Sequence, residues 1–208
     1  MIHFLMTVDV EEQSLLLNRL DPSVPPLLKD VGMPRLLAVL EKHDVKGTFY
    51  FTGTIVETNP ELVDMTVRKG HEAGCHGYDH SVDRALDVLC CKDQEADMKK
   101  SIDAFTTCNA KPVSFRAPAA RISAETLRIL ERNGYTSDSS ISSQRFDGPL
   151  TFGSKRKLRW LFAPRGPYYP SNEDVFKRGK SSILEIPISA YIRSEERRVG
   201  KECRSRWS

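Results

Sequence analysis

The sequence predicts an α/β protein whose architecture is a TIM-like (β/α) barrel of parallel strands. Strand-like and helix-like runs alternate along most of the 208 residues, which is typical of consecutive βα units. Carboxylate, imidazole and guanidinium side chains directly follow three of the strand-like runs, and barrels of this kind carry their functional residues at the carboxyl ends of the strands. The length suits one domain, because no internal repeat or low-complexity linker divides the chain.

Six short runs have the composition of β-strands. The second of them is apolar without alternation, as strands covered on both faces are. The predicted strands cover residues 2–8, 47–52, 72–75, 113–115, 136–138 and 183–188.

Four amphipathic runs between these strands predict helices. Pro34 fits the first turn of one helix, and Asn59 and Ser123 have the side chains of N-cap residues. The predicted helices cover residues 34–43, 59–70, 92–108 and 123–134. Residues 145–182 are rich in aromatic residues and proline, and we predict that they form an insertion over the active face.

The last sixteen residues, 193–208, match an in-frame translation of a common sequencing adapter, so we expect the domain to be residues 1–192. The alternative is a natural basic tail. This segment holds six Lys or Arg and three Glu, and therefore supplies the whole formal charge of +3. Because residues 1–192 are formally neutral, the charge gives no reason to expect nucleic acid or an acidic membrane surface as a partner.

The remaining cysteines, at 75, 90, 91 and 108, form no C-x-x-C pair and predict reduced thiols. No apolar run approaches the roughly 18 residues of a membrane span, so no transmembrane segment is expected. The first residues lack the features of a signal peptide. These observations lead us to expect a cytoplasmic protein.

Three segments carry the side chains of a metal site. Asp9 and Glu11 end the first strand-like run, where alternate residues share a face. His76 and His80 lie four residues apart after the third run, and residues 114–118 follow a further strand-like stretch. Carboxylates and imidazoles gathered at strand ends suit a hydrolytic divalent cation. Taken singly, the same residues are also compatible with an exposed acidic loop and with surface histidines.

In these segments the chain resembles the polysaccharide deacetylase family, which contains chitin and peptidoglycan deacetylases and is also called carbohydrate esterase family 4. The resemblance rests on the Asp-containing end of the first strand, an H-x-x-x-H pair, an R-x-P segment, an Asp on the fifth strand and part of a late L-x-I motif. It implies a distorted TIM-like barrel of about seven strands. Because six strands are visible, we expect the chain to be truncated at its C-terminus.

The resemblance also implies residue roles. Asp9 would be the general base, Arg116 would orient it, and Asp138 would be a further acid of the catalytic group. Glu11, His76 and His80 would hold a divalent metal ion, expected to be zinc, with cobalt or another divalent ion as the alternative and Glu12 as a backup ligand. The substrate-binding residues implied are Pro118 in the groove wall and Leu184 and Ile186 in an acetyl-methyl pocket.

The activity implied is metal-dependent hydrolysis of the N-acetyl amide of an amino sugar, with an N-acetylated carbohydrate as the binding partner and acetate as a product. One departure stands out, because Pro187 and Ile188 lie where the family places its general-acid histidine. Two alternatives therefore stay open: a metal-free, allantoinase-like amidase acting on a small cyclic amide or ureide, and a catalytically inactive fragment.

Overall fold

Six parallel strands form the main sheet of the computed structural model, which describes residues 4–14, 19–20, 24–108, 110–143 and 155–188. Their order is β1-β4-β5-β6-β7-β8, so each strand lies beside the next one along the chain, as in a TIM-like barrel. A separate antiparallel hairpin, β2–β3, follows β1. The strands are β1 Met6–Val10, β2 Gln13–Ser14, β3 Arg19–Leu20, β4 Gly47–Phe51, β5 Glu72–Cys75, β6 Ser114–Phe115, β7 Ser137–Asp138 and β8 Leu184–Glu185.

Helices connect the strands of the main sheet up to β7. Helix α6 begins with a reciprocal cap, in which Ser123 Oγ accepts from the Thr126 N–H and the Thr126 hydroxyl accepts from the Ser123 N–H. The helices are α1 Val24–Leu27, a π-helical turn Leu28–Gly32, α2 Met33–Lys42, α3 Gly53–Thr58, α4 Pro60–Arg68, α5 Cys91–Thr106 and α6 Ala124–Arg132, with 3-10 turns at Val82–Arg84, Pro118–Ala120 and Lys155–Phe162. Among the described residues, no helix combines the length and apolar character needed to cross a bilayer.

The two faces of the sheet differ in character. One face packs on the helices and forms the core, where Phe49, Phe51 and Phe115 are fully buried. The other face lines a cavity of about 350 Å³ with residues that include Tyr50 and Ser139. Because side chains alternate along a strand, residues next to one another in sequence serve opposite faces.

The predicted α/β class and its six parallel strands are confirmed. The third strand has the predicted bounds, whereas the first begins and ends later than residues 2–8. Helix α3 was missed, because Thr54, Ile55 and Val56 are β-branched and favour strands. The run at 183–188 forms only a two-residue strand, and the preceding segment pairs with it, since Tyr168 makes an antiparallel bridge to Glu185.

Two predictions lie wholly or partly beyond these residues. The adapter segment 193–208 and the boundary at residue 192 are outside the described residues. The predicted insertion, 145–182, is described from residue 155 onward. The four cysteines at 75, 90, 91 and 108 are free thiols.

Candidate metal centre

Glu11, His76 and His80 meet at the carboxyl end of the sheet. Glu11 directly follows β1, His76 directly follows β5, and His80 lies in the loop that continues from it. Nε2 of His80 lies 3.2 Å from Glu11 Oε2, and Nε2 of His76 lies 3.7 Å from the same oxygen. Ligands about 2.0–2.2 Å from a tetrahedral zinc are separated by roughly 3.3–3.5 Å. The spacing of the three donors, all within 4.8 Å of one another, therefore fits one divalent cation.

A main-chain carbonyl fixes the orientation of His76. Its Nδ1 lies 2.8 Å from the Arg116 carbonyl oxygen, an acceptor, so the proton is on Nδ1 and the lone pair of Nε2 faces Glu11. His76 is buried, and this burial lowers the pKa of its imidazole to about 4. The side chain is therefore neutral near pH 7, as metal ligation requires.

One oxygen of the Glu11 carboxylate lacks a hydrogen-bond donor among the described residues. Its Oε2 is buried and accepts no hydrogen bond from any residue that the structure describes, although two imidazole nitrogens face it. Burial raises the pKa of Glu11, His80 acts in the opposite direction, and Asp9 adds to the increase. A buried oxygen with this surplus of negative potential suits a cation.

The histidine loop is held from two sides. The N–H groups of Gly53 and Thr54, at the start of α3, donate to the carbonyls of Gly77 and Tyr78 at 2.9 and 3.0 Å. On the other side, the Ala119 N–H donates to Nε2 of His80 at 3.0 Å.

Pro118 lies directly against this loop. Gly77 has a φ of +70°, and a Cβ built there would stand 2.9 Å from Cγ of Pro118. Pro118 is buried and packs against the histidine loop at Gly77, whereas its contact with a substrate groove stays a prediction.

Arg116 holds Asp9 in place, as the resemblance implied. Its Nη1 donates to Asp9 Oδ1 at 2.7 Å, while its other N–H groups donate to Thr7 Oγ1 and to the carbonyl and hydroxyl oxygens of Ser139 at 2.9–3.0 Å. The guanidinium also stacks over the ring of Tyr50, 4.4 Å from its centre. Asp9 keeps 38% of its side-chain surface exposed, so the carboxylate is fixed and still reachable from solvent.

Asp138 lies away from Asp9 and from the candidate metal ligands. Its neighbours Ser137 and Ser139 line the cavity on the inner face, so Asp138 points to the opposite, helix-packed face. There it is 1% exposed and forms a carboxyl pair with Glu185. It does not take part in the cluster of potential metal ligands, and a direct catalytic role for it stays a prediction.

The acetyl pocket at Leu184 and Ile186 stays a prediction. Ile186 lines the 350 Å³ cavity, but Leu184 does not, and none of the three candidate ligands lines it either. Glu12 is buried, and the donor cluster among the described residues contains Glu11 and not Glu12.

Sequence reasoning missed the groups that support these side chains. The carbonyl of Ser139 and the N–H of Ala119 are main-chain atoms, which leave no signal in residue type. Glu185 did carry a signal, since it is a charged residue between two apolar ones in a predicted strand.

The chain is similar in sequence to proteins of one known family. The family model described as "Polysaccharide deacetylase" matches residues 26–137, more than half of the chain, and this match includes both histidines and Arg116 but not Asp9 or Glu11. A peptidoglycan deacetylase from Helicobacter pylori is 32% identical over 118 residues, which are 56% of this chain and 39% of that protein. A peptidoglycan deacetylase-like protein from Gibberella zeae is 36% identical over 115 residues, which are 54% of this chain and 33% of that protein. The chain thus matches about a third to two fifths of the length of these relatives.

Solved structures show the same fold. A protein assigned as a polysaccharide deacetylase from Mycobacterium smegmatis superposes with a TM-score of 0.64 and 25% identity, covering 89% of this chain and 58% of that one. The PuuE allantoinase superposes with a TM-score of 0.61, covering 88% of this chain and 60% of that one, but at 17% identity it indicates the fold alone. With the family model matched over more than half of its length, the chain belongs to the polysaccharide deacetylase family.

Proposed function

We propose that this chain is a metal-dependent N-deacetylase, which hydrolyses the N-acetyl amide of an amino sugar in a polysaccharide, oligosaccharide or lipid-linked glycan and releases acetate. The observation that carries the proposal is the meeting of Glu11, His76 and His80 beside an Arg116-bound Asp9. Family membership supports the reaction class, and the peptidoglycan deacetylase from Helicobacter pylori supports a glycan substrate.

Glu11 Oε2 and the Nε2 atoms of the two histidines would hold the metal ion. Two imidazoles and one carboxylate suit zinc and leave a coordination position for water or substrate. When bound, such an ion lowers the pKa of a water molecule and polarises an amide carbonyl.

Asp9 would remove the proton from the attacking water. The hydrogen bond from Arg116 fixes the direction of this carboxylate, because a charge-assisted bond is short and strong. Pro187 and Ile188 lie where the family places its general-acid histidine, so we assign the return of this proton to the leaving amine to Asp9 as well.

The Ala119 N–H is a preorganised donor at the same place. With Nε2 of His80 among the ligands that would hold the metal, this N–H would be available to donate to the oxyanion of the tetrahedral intermediate. Its direction is set by an unusual backbone, since Ala119 and Ala120 have φ values of 53° and 54°. Such left-handed conformations cost free energy and are concentrated at functional sites.

A metal-free, allantoinase-like amidase is the second candidate. The fold favours neither reaction, because the TM-scores of the deacetylase-assigned structure and of the allantoinase are 0.64 and 0.61. The preformed donor cluster favours the metal-dependent reaction.

The test combines metal content with acetate release from N-acetylglucosamine oligomers, beside allantoin as the ureide substrate. We expect one zinc per chain and acetate release, both lost in His80→Ala. His43→Ala is the matched control, because His43 is exposed at the end of α2. Hydrolysis of allantoin by metal-free protein would replace the proposal with the amidase, and a folded protein that binds no zinc would refute the metal mechanism.

A further inference from the structure

Two acidic residues face each other inside the protein, outside the metal-ligand cluster. Asp138 and Glu185 are register partners on the neighbouring parallel strands β7 and β8. Partners in a parallel pair lie on the same face, about 4.8 Å apart. Both side chains are only 1% exposed, and their carboxyl groups are in hydrogen-bond contact.

Such a pair cannot carry two negative charges. Two buried carboxylates at this distance repel each other strongly, and one of them retains a proton that the other accepts. Burial, followed by the neighbouring Asp138, raises the pKa of Glu185 well above its usual value, and burial raises the pKa of Asp138 too. Among the residues that the structure describes, the other ionisable groups that interact with the pair include Arg116, Tyr50 and Tyr168.

The pair anchors the turn formed by residues 138–141. Glu185 Oε1 accepts from the Ile141 N–H at 3.0 Å, and Asp138 Oδ1 accepts from the Ser140 hydroxyl at 2.5 Å. The Ser140 oxygen in turn accepts from the Ala117 N–H at 2.8 Å.

The same turn holds Arg116. Between the two anchored ends, the carbonyl and the hydroxyl of Ser139 accept two of the hydrogen bonds that orient the guanidinium. A third bond from Arg116 fixes Asp9. Glu185 is therefore linked to the carboxylate that we assign as the base through hydrogen bonds at each end and the covalent backbone from Ile141 to Ser139 between them.

We propose that Glu185 is a positioning residue, which shares one proton with Asp138 and thereby fixes the 138–141 turn that orients Arg116 and Asp9. The kinetic consequence rests on the proposed deacetylase function. The shared proton and the anchoring of Arg116 do not depend on that function.

The kinetic arm compares Glu185→Gln with Glu185→Ala. A glutamine amide can still donate to Asp138 and accept from Ile141, so we expect its kcat to stay close to that of the unchanged protein. Alanine releases the turn, and a small displacement of a catalytic group lowers kcat by up to about 100-fold. We expect KM and zinc content to remain unchanged.

Glu131→Gln is the matched control. Glu131 lies on α6 and also accepts hydrogen bonds from residues that precede β8, namely Ser181 and Ser182, and none of these bonds involves residues 138–141. We expect this variant to keep the kcat of the unchanged protein.

Two spectroscopic arms need neither activity nor metal. Infrared spectra at neutral pH should show the carbonyl band of a protonated carboxyl group, which disappears in Glu185→Gln and in Asp138→Asn. The NMR signal of the Arg116 Nε–H should show slow solvent exchange in the unchanged protein and in Glu185→Gln, and fast exchange in Glu185→Ala.

The kinetic and spectroscopic measurements distinguish the deacetylase proposal from the proposed positioning role of Glu185. An inactive wild-type protein that shows the infrared band and the Arg116 change would refute the deacetylase function and support the positioning role. A wild-type protein without the band would overturn the inference, even if Glu185→Ala fails to fold. Slow Arg116 exchange and full kcat in a folded Glu185→Ala would overturn it as well.

Discussion

At the residue scale, Arg116 contacts both parts of the candidate site, the assigned base and the candidate metal ligands, and it does so through different atoms. Its guanidinium orients Asp9, and its carbonyl oxygen orients His76. A side-chain substitution should therefore damage the base and spare the metal ligands. This separation gives a direct test of the roles assigned to the two parts.

We predict that Arg116→Lys lowers kcat for deacetylation by about 100-fold while zinc content stays the same. Lysine keeps the charge, but it cannot replace the planar fork that serves Asp9, Thr7 and Ser139 together. Arg128→Lys is the control, because Arg128 is an exposed residue that bonds Glu125 and the Asn172 carbonyl. A parallel loss of zinc and kcat in Arg116→Lys would contradict the separation of roles.

A second prediction at this scale concerns Gly77, which lies in the loop between His76 and His80. Gly77→Ala should weaken zinc binding and lower the free energy of unfolding, because the new Cβ meets Pro118 at 2.9 Å in addition to the strain of a φ of +70°. Gly134→Ala isolates the strain alone, since its φ is +78° and no atom lies within 4 Å of the added Cβ. The strain alone costs about 1–2 kcal/mol.

Urea unfolding and zinc titration of both alanine variants measure these effects. We expect Gly134→Ala to bind zinc like the unchanged protein. Equal losses of stability in the two variants, with zinc affinity unaffected in both, would show that Pro118 does not constrain the histidine loop.

At the element scale, β7 and β8 are two residues each, and their junction depends on one shared proton. The pKa of Glu185 is raised on folding, so the folded protein binds this proton more tightly than the unfolded chain. Its contribution to stability is complete below the usual value of 4.5 and is lost as pH rises through the higher, folded-state value.

We therefore predict that the free energy of unfolding contains a component that falls as pH rises above about 4.5. This component should be absent from Glu185→Gln and retained in Glu131→Gln. Urea unfolding across this pH range measures it. A wild-type profile with the same slope as that of Glu185→Gln would disprove the proton-dependent junction.

The elements also show what could be predicted from sequence. Apolar runs located β1, β4 and β8, because burial on a helix-packed face selects such residues. The more polar segments at β5, β6 and β7 were placed from the alternation of strands and helices along the chain. They gave no sign that β6, β7 and β8 would be two residues long, since strand ends are set by neighbouring backbone. Side-chain chemistry and the family resemblance predicted that Glu11, His76 and His80 lie together, and the structure brings their donor atoms within 4.8 Å of one another. Supporting atoms such as the Ser139 carbonyl belong to the main chain and depend on the fold.

At the scale of the whole molecule, the candidate metal centre ties together segments that are distant in sequence. Glu11 follows β1, which lies at one end of the strand order, and both histidines follow β5, near its middle. An ion that binds all three would hold these segments in their native arrangement. A ligand that binds only the native state stabilises it by mass action, by about 2.7 kcal/mol when its concentration is 100 times Kd.

We predict that zinc at this excess raises the thermal midpoint by roughly 5–10 °C, since each kcal/mol shifts the midpoint of a chain of this size by about 2–4 °C. The shift should disappear on addition of a chelator and in His80→Ala, and it should persist in His43→Ala, whose altered side chain is exposed. Scanning calorimetry with and without zinc measures it. An equal shift in His80→Ala would place the stabilising ion elsewhere on the surface, whereas no shift in any variant would mean that the three donors do not form a site, and the hydrolytic mechanism would lose its metal.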